Sequence, residues 1–295
     1  VKELKKYATY RKYRNTYENH IRKTLGKCPV AELSADMIKA ILECSDSSAL
    51  SESSLRSIAC VINQILSYAE THYHVIPARF SSRKLRMPRK PIEVLNQSEQ
   101  TRLFQFLYEE MDIYKAGIII CISTGLRLGE ICALKWEDID LEGKLLHVNR
   151  TVQRIAVDGE ASKTILMEGV PKSIFSKREI PLSDEMVRLL FSYYGKGGYV
   201  INKNGPAEPR TYQNRFYKYL QNAGIERKNF HILRHTFATN CVASGVDVKS
   251  LSEILGHSDV KITLNRYIHP GMETKREHLN ALSAVYGQYM RRQFA

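Results

Sequence analysis

Three basic clusters in the second half of the chain carry residue types suited to gripping an anion and moving a proton. In "TGLRLGEICALKW", Arg127 follows a Gly turn at the start of a predicted helix. Backbone N–H groups at a helix start attract anions, and an adjacent guanidinium reinforces that. Glu130, three residues on, could hold Arg127 in place, although such a pair is also a common decoration of helix surfaces. In "HILRHTFAT", His231 and Arg234 lie three apart on one predicted helix face. Together they could grip one phosphate, with His231 also exchanging a proton. His-x-x-Arg alone recurs by chance in many helices, and His235 beside it reads as a packing or supporting residue. In "LGHSDVKITLNRY", His257 lies just past a predicted helix end and Tyr267 follows about three turns later.

The elements that must position these clusters are mostly helical. "RSIACVINQILSYAETH" places Ile58, Ile62, Ile65, Leu66 and Ala69 at helical spacing, and "ADMIKAILEC" repeats the pattern over a shorter span. "VKELKKYATYRKYRNTYENHIRK" reads as one helix with Lys and Arg over much of its surface. Its tyrosines either pack inward or face a sugar-phosphate backbone. In "FSSRKLRMPRKPIEVL", two prolines among basic residues predict an extended linker. "NQSE" predicts a capped helix start, with Asn96 and Glu99 as the capping pair. A helix through "YKAGIIICIS" follows. "LLHVNRTVQRIAV" and "KREIPLS" bracket a strand-rich patch. Helices are predicted over 183–194, 209–223, 231–244, 247–255, 259–268 and 272–292, with Gly224, Gly245 and Gly256 as stops. Trp136, Leu134 and Ile139 are expected in the core, and Tyr193, Tyr194, Tyr212, Tyr217 and Tyr219 as helix-packing residues.

With 43% hydrophobic residues in 295, the chain can bury a sizeable core, and its length suits two domains. No run approaches the ~20 apolar residues that span a bilayer. No signal peptide is recognised, and because the chain begins at Val1 its natural N-terminus is expected upstream. Cys28, Cys44, Cys60, Cys121, Cys132 and Cys241 are scattered without Cys-x-x-Cys pairs, and are expected as buried free thiols in a reducing compartment. The net charge of +13 favours a polyanionic partner. The charge is uneven: residues 1–90 hold 17 Lys and Arg against 8 Asp and Glu, whereas the remaining 205 hold 27 against 23.

Taken together, "TGLRLGEICALKWEDID", "HILRHTFATNCVASGVDVKSLSEILGHSD" and "TLNRY" resemble the three sequence boxes of the tyrosine recombinases, or phage-type integrases. The style is that of integrases from phages and conjugative transposons of Gram-positive bacteria. The resemblance covers most of residues 96–270, and order, spacing and neighbours agree. It implies that Arg127, His231 and Arg234 are the family's Arg and His-x-x-Arg set, His257 its second histidine and Tyr267 its nucleophile. The gap from His257 to Tyr267 is one longer than in many members. His269 is a common companion after the tyrosine without an assigned role. The family's β-turn lysine is matched by Lys172 in "VPKSIFSKREIPL", where Ser173 replaces the usual Thr and Lys163 and Lys177 are rivals.

The fold implied is mainly α, a two-domain DNA clamp. It consists of a helical core DNA-binding domain over 1–80, a basic inter-domain linker over 81–95 and a catalytic domain over 96–270. The catalytic domain is mixed α/β with a small antiparallel sheet. A helical tail over 271–295, with Leu279, Leu282 and Tyr286 on one face, docks on a neighbouring protomer or packs in cis.

The residue types suit phosphoryl transfer. A phosphodiester repels an attacking oxygen, and further charge develops on its non-bridging oxygens. Arg127 and Arg234 offer fixed bidentate donors for that charge. Tyr267, with an ordinary pKa near ~10, needs help to attack at neutral pH. The cationic pocket is expected to favour the phenolate, with His231 as base or phosphate contact. His257 contacts a phosphate oxygen, and Lys172 protonates the departing 5′-oxygen. Guanidinium groups supply the positive charge, so no metal and no cofactor is expected.

The resemblance implies a site-specific recombinase that cuts and rejoins strands through a 3′-phosphotyrosyl intermediate, integrating and excising a mobile element without ATP. The competing readings are a non-catalytic DNA-binding protein of the same ancestry and a type IB topoisomerase-like nicking and resealing enzyme. Expected partners are double-stranded DNA at recombination sites, a homotetramer on two such sites and DNA-bending accessory proteins, with no membrane. The expected location is the bacterial cytoplasm, at the nucleoid. Candidate DNA contacts are Lys12, Arg14, Arg22, Lys23, Arg83, Lys84, Arg86, Arg89 and Lys90.

Overall fold

A computed structural model describes residues 7–43, 50–76, 92–156, 164–170, 174–195, 197–267 and 272–290. The chain divides into two compact units, with the boundary after Pro91. The expected linker residues Arg83, Lys84, Arg86, Arg89 and Lys90, the lysines Lys163 and Lys172, and His269 lie outside the described residues.

The first unit is helical. α1 (Tyr7–Thr16) runs through a π-turn at Tyr17–Ile21 into α2 (Arg22–Leu25), followed by α3 (Ala35–Glu43) and α4 (Glu52–Tyr73). The long basic N-terminal helix expected from the sequence is therefore interrupted. The wider π-turn aims Ile21 and Leu25 into a core with Ile38, Ile58, Ile62 and Leu66. Tyr13 and Tyr17 pack partly buried against that core, so these two tyrosines turn inward. On α4 the apolar residues Ile58, Ile62, Leu66 and Ala69 are all buried, as their spacing predicts. Ser51 caps α4 by accepting the Ser54 N–H. Lys12, Arg14, Arg22 and Lys23 are exposed, and Arg22 pairs with Glu18 at 2.7 Å. Cys60 is also exposed, against the expectation of buried thiols, because it sits off the apolar stripe of α4.

The second unit is built around α6 (Ile113–Thr124), buried along most of its length from Lys115 to Thr124. Its apolar run packs with residues from α5 (Gln97–Tyr108), α8 (Asp184–Tyr193) and α9 (Pro209–Asn222) in one core that includes Leu103, Leu107, Leu190 and Phe216. The capping pair at the start of α5 is present, with Asn96 accepting the Glu99 N–H and Glu99 accepting the Asn96 N–H, each at 2.9 Å. Trp136, Leu134 and Ile139 are buried as expected, whereas Tyr194 is exposed and stacks edge-on against Trp136.

The strand-rich patch forms two antiparallel sheets rather than one. β1 (Ile139–Asp140), β2 (Leu145–Val148) and β5 (Arg178–Pro181) make a three-stranded sheet in the order β1-β2-β5. β3 (Thr151–Ala156) pairs with β4 (Thr164–Gly169), from Thr151↔Gly169 to Ala156↔Thr164. Four further helices carry much of the site: α7 (Leu128–Ala133), α10 (Ile232–Ala243), α11 (Val248–Leu255) and α12 (Val260–Tyr267). α13 (Met272–Met290) follows, with Leu279, Leu282 and Tyr286 exposed. No described helix is long and apolar enough to cross a membrane.

Candidate active site

Two left-handed glycines set the arginines in place. Gly125 ends α6 with φ +68° and Gly256 ends α11 with φ +64°, a conformation a side chain would strain. A Cβ at Gly125 would come 2.6 Å from Phe237, and one at Gly256 would come 2.8 Å from the Phe175 carbonyl. The turn at Gly125 delivers Arg127 to the start of α7, where its N–H donates to Glu130 Oε2 at 2.9 Å. The Arg127 guanidinium donates to Glu130 Oε1 at 2.7 Å and to the Gly256 carbonyl at 3.4 Å. Arg234, 1% exposed on α10, donates to the Gly125 carbonyl at 2.8 Å and to the Leu255 carbonyl at 2.5 Å. Each glycine turn thus offers its carbonyl to one of the two expected phosphate-clamping arginines.

A third arginine completes this frame. Arg178 opens β5 and donates to both oxygens of Glu130, at 3.2 and 3.0 Å, and to the Ile254 carbonyl at 2.5 Å. Sequence reasoning gave it no role, because nothing local to "KREIP" shows what the side chain meets. Its side chain is 5% exposed. Burial alone would push the Glu130 carboxyl up, but Arg178 and Arg127 overcome it and hold the group at about 2. The carboxylate is therefore ionised and neutralises one guanidinium, leaving the cluster of Arg127, Arg178 and Arg234 with net positive charge. Burial, with Arg127 next, lowers Arg234 to about 9, so it remains a cation at neutral pH. A unit charge about 4 Å from an anion is worth about 4 kcal/mol at an effective dielectric of about 20, enough to make this cluster a strong anion site.

Facing the arginines is a group of neutral rings. His231 is the N-cap of α10 rather than a residue within it, and its N–H donates to Asn229 Oδ1 at 3.0 Å. Its ring meets that of His235 edge-on, with centroids 4.6 Å apart. His235 Nδ1 lies 2.7 Å from the Tyr267 hydroxyl. This residue was expected only to pack or support its neighbours; its i, i+4 relation to His231 shows a shared helix face but not that α12 folds back onto it. His257 follows Gly256, and its Nδ1 lies 2.8 Å from the Thr263 hydroxyl. Burial, reinforced by the surrounding arginines, lowers His231 to about 3 and His235 and His257 to about 4. All three are neutral at neutral pH.

Tyr267, at the end of α12, packs against Ala238, Leu251 and Leu255. Its burial raises the phenol above its ordinary value, although Arg234, Arg266 and Arg127 pull the other way. The arginines favour the phenolate as expected, but lost solvation outweighs them, so the phenol is protonated in the free protein. Of the six residues expected to do the chemistry, the structure brings Arg127, His231, Arg234, His257 and Tyr267 together within one chain. Lys172 lies outside the described residues, and its rival Lys177 is exposed. Among the described residues no group of three or more His, Cys, Asp or Glu could hold a metal ion.

The chain is 25% identical to a XerC-like tyrosine recombinase of Caldanaerobacter subterraneus subsp. tengcongensis, over 97% of this chain and 80% of the relative. It is 25% identical to the transposase of transposon Tn916 from Enterococcus faecalis over 65% of its own length, spanning only 52% of that protein. Its fold matches that of the Tn1549 transposon integrase, solved in complex with transposon right end DNA, with a TM-score of 0.73, 19% identity and 95% of each chain covered. The profile of the phage integrase family matches residues 93–274, the stretch that holds every described member of the arginine frame and the tyrosine facing it, and the chain belongs to that family.

Proposed function

We propose that this chain is a site-specific DNA recombinase that cuts and rejoins strands to integrate and excise a mobile element. The observation that carries the reading is the convergence, in one chain, of a half-buried tyrosine with a fixed cluster of arginines. Arg127 and Arg234 clamp the non-bridging oxygens of one phosphodiester, where they are preorganised for the charge that develops. His231 and His257 contact the same phosphate. With Nδ1 engaged by Thr263, His257 keeps Nε2 for that contact. The Tyr267 oxygen attacks phosphorus and the bond to the 5′-oxygen breaks. Lys172 gives that oxygen its proton, leaving a 3′-phosphotyrosyl ester and a free 5′-hydroxyl. The ester keeps the energy of the broken bond, so a different 5′-hydroxyl can reverse the step without ATP. The arginines supply the cations, so the reaction is expected to run in the presence of a chelator.

Exchange between two duplexes involves four strands, which supports a homotetramer on two DNA sites. The exposed Leu279, Leu282 and Tyr286 of α13 suit docking on a neighbouring protomer. Lys12, Arg14, Arg22 and Lys23 are exposed and suit backbone contacts. The same role is proposed for the basic run from Arg83 to Lys90. DNA-bending accessory proteins and action at the bacterial nucleoid belong to the same reading.

The test is a duplex from the ends of the mobile element, nicked so that the freed 5′-hydroxyl fragment diffuses away. The protein should form a covalent adduct on a denaturing gel, with or without a chelator. Tyr267→Phe should bind the duplex equally well and form none. An adduct from the Phe variant would refute Tyr267 as the nucleophile.

A further inference from the structure

The rejoining chemistry needs a group to take the phenol proton and later return it. We propose that His235 is that group, accepting the proton from the Tyr267 hydroxyl as the oxygen attacks and giving it back when the phosphotyrosyl bond is broken. This rests on the recombinase reading above and deepens it.

The hydroxyl's hydrogen-bond partner is His235, at 2.7 Å from Nδ1, rather than His231. The two rings are tilted at 52° with centroids 5.7 Å apart, so they meet through these polar atoms rather than as a parallel stack. The groups acting on His235 are His231 and Arg234 on its own helix, and Arg266 and Tyr267 on α12. Burial disfavours a charge on the imidazole most, and Arg266 and Arg234 add to it. The ring is therefore neutral before DNA arrives, and in the tautomer with hydrogen on Nε2 its Nδ1 accepts from the phenol. In that state neither partner carries charge, and both neutral groups tolerate their partial burial.

An arriving phosphate reverses the balance. Its negative charge offsets Arg127 and Arg234, and further negative charge develops as the Tyr267 oxygen closes on phosphorus. An imidazolium beside that centre is then favoured. The proton leaves Oη for Nδ1, the oxygen–phosphorus bond forms, and the bond to the 5′-oxygen breaks with a proton supplied to that oxygen by the general acid. In rejoining, a 5′-hydroxyl attacks phosphorus and gives its proton to the group that acted as general acid, the phosphotyrosyl bond breaks, and the imidazolium returns its proton to the departing phenol oxygen. Proton transfer is thereby tied to occupancy of the cation site, and an empty site keeps the nucleophile protonated. Such a base contributes about 100-fold to 10,000-fold in rate.

Two variants separate proton transfer from positioning. His235→Asn keeps an oxygen that can accept from the phenol but cannot hold its proton; His235→Ala removes both. Each is compared with the unaltered chain on the nicked duplex by the rate of adduct formation across pH, with duplex binding and thermal melting confirming the fold. Both variants should be slower by about 100-fold at neutral pH. Their rates should climb about tenfold per pH unit as hydroxide takes over, up to the range where the phenol itself ionises. The unaltered chain should lack that slope near neutrality. The proposal is overturned if His235→Asn matches the unaltered rate, or if both variants are slow but keep the unaltered pH profile. If the unaltered chain forms no adduct, or Tyr267→Phe retains it, the recombinase reading itself fails; normal adducts with indifferent His235 variants sink the His235 assignment alone.

Discussion

On the cation side of the site, Arg127, Arg178 and Arg234 are each tied to backbone carbonyls or to Glu130 across α6, α7, β5, α10 and α11. On the nucleophile side, α12 buries Thr263 and half-buries Tyr267, while Val260, Ile262 and Leu264 remain exposed. The contrast teaches that the arginine cradle proposed for the phosphate is already built in the free protein, whereas the helix carrying the proposed nucleophile leaves most of its side chains exposed. A preorganised electrostatic frame costs no rearrangement at the moment of reaction. A lightly held helix belongs to the low-stability end of a structure and can open locally. The hydrogen bond between Tyr267 and His235 and the one between His257 and Thr263 tether this helix at its end and its middle.

The largest effect expected from breaking the cradle is on stability. Glu130→Gln leaves Arg178 and Arg127 without their buried counter-charge, a change that costs about 3–5 kcal/mol when one partner of a buried pair is removed. Denaturant titration of the second unit should show it. Tyr267→Phe, by contrast, loses one hydroxyl contact and should stay within about 1.5 kcal/mol of the unaltered chain. Equal losses from the two changes would erase the difference between the two sides.

Next comes chemistry. Arg234→Lys keeps a positive charge but not the fork that spans the Gly125 and Leu255 carbonyls, and adduct formation should fall by at least about 100-fold. Near-normal rates would show that charge alone suffices and that the fixed geometry is incidental.

Acid should erode both sides, in different windows. The folded values of His231, His235 and His257 lie below the ordinary histidine value, so the unfolded chain takes up protons first. Their contribution to stability is complete above about 6.5 and is lost as pH falls toward about 3 to 4. Glu130 is also depressed, so its contribution is present above the ordinary carboxylate value and disappears as pH falls toward about 2. Thermal melts across this range should show the midpoint falling with acidification in both windows, and Glu130→Gln should remove the lower one. A melting point that is level from neutrality to about pH 4 would contradict the neutral-ring description.

The smallest effect concerns α12 alone. Thr263→Val removes the partner of His257 Nδ1 and should cost about 1 kcal/mol, with adduct formation slowed several-fold. Amide hydrogen exchange should report faster opening in α12 than in α10, and more so in the variant.

Much of this was legible in the residues. The apolar run of α6, the Asn96–Glu99 cap and the glycine stops are local signals, and each gave its element. Arg127, His231, Arg234, His257 and Tyr267 were legible because motif order and spacing constrain one another. What stayed hidden depends on long-range closure. Arg178 lies 48 residues from Glu130 in sequence, and nothing local shows that the strand opens against it. His235 became visible as a partner of Tyr267 only where α12 returns to α10. The state of the phenol turned on a contest between burial and nearby cations, which the identity of the residues alone does not decide. The π-turn that interrupts the N-terminal helix likewise serves the placement of Ile21 and Leu25, a demand of packing rather than of local propensity.

The central claim is that one chain brings Tyr267 to the same site as Arg127 and Arg234. Mixing Tyr267→Phe protein with Arg127→Lys protein on the nicked duplex tests it directly. A site assembled within each chain predicts no more covalent adduct from the mixture than from the two variants separately. Adduct restored by mixing would mean that one protomer's tyrosine serves another's arginines, and the account would fall.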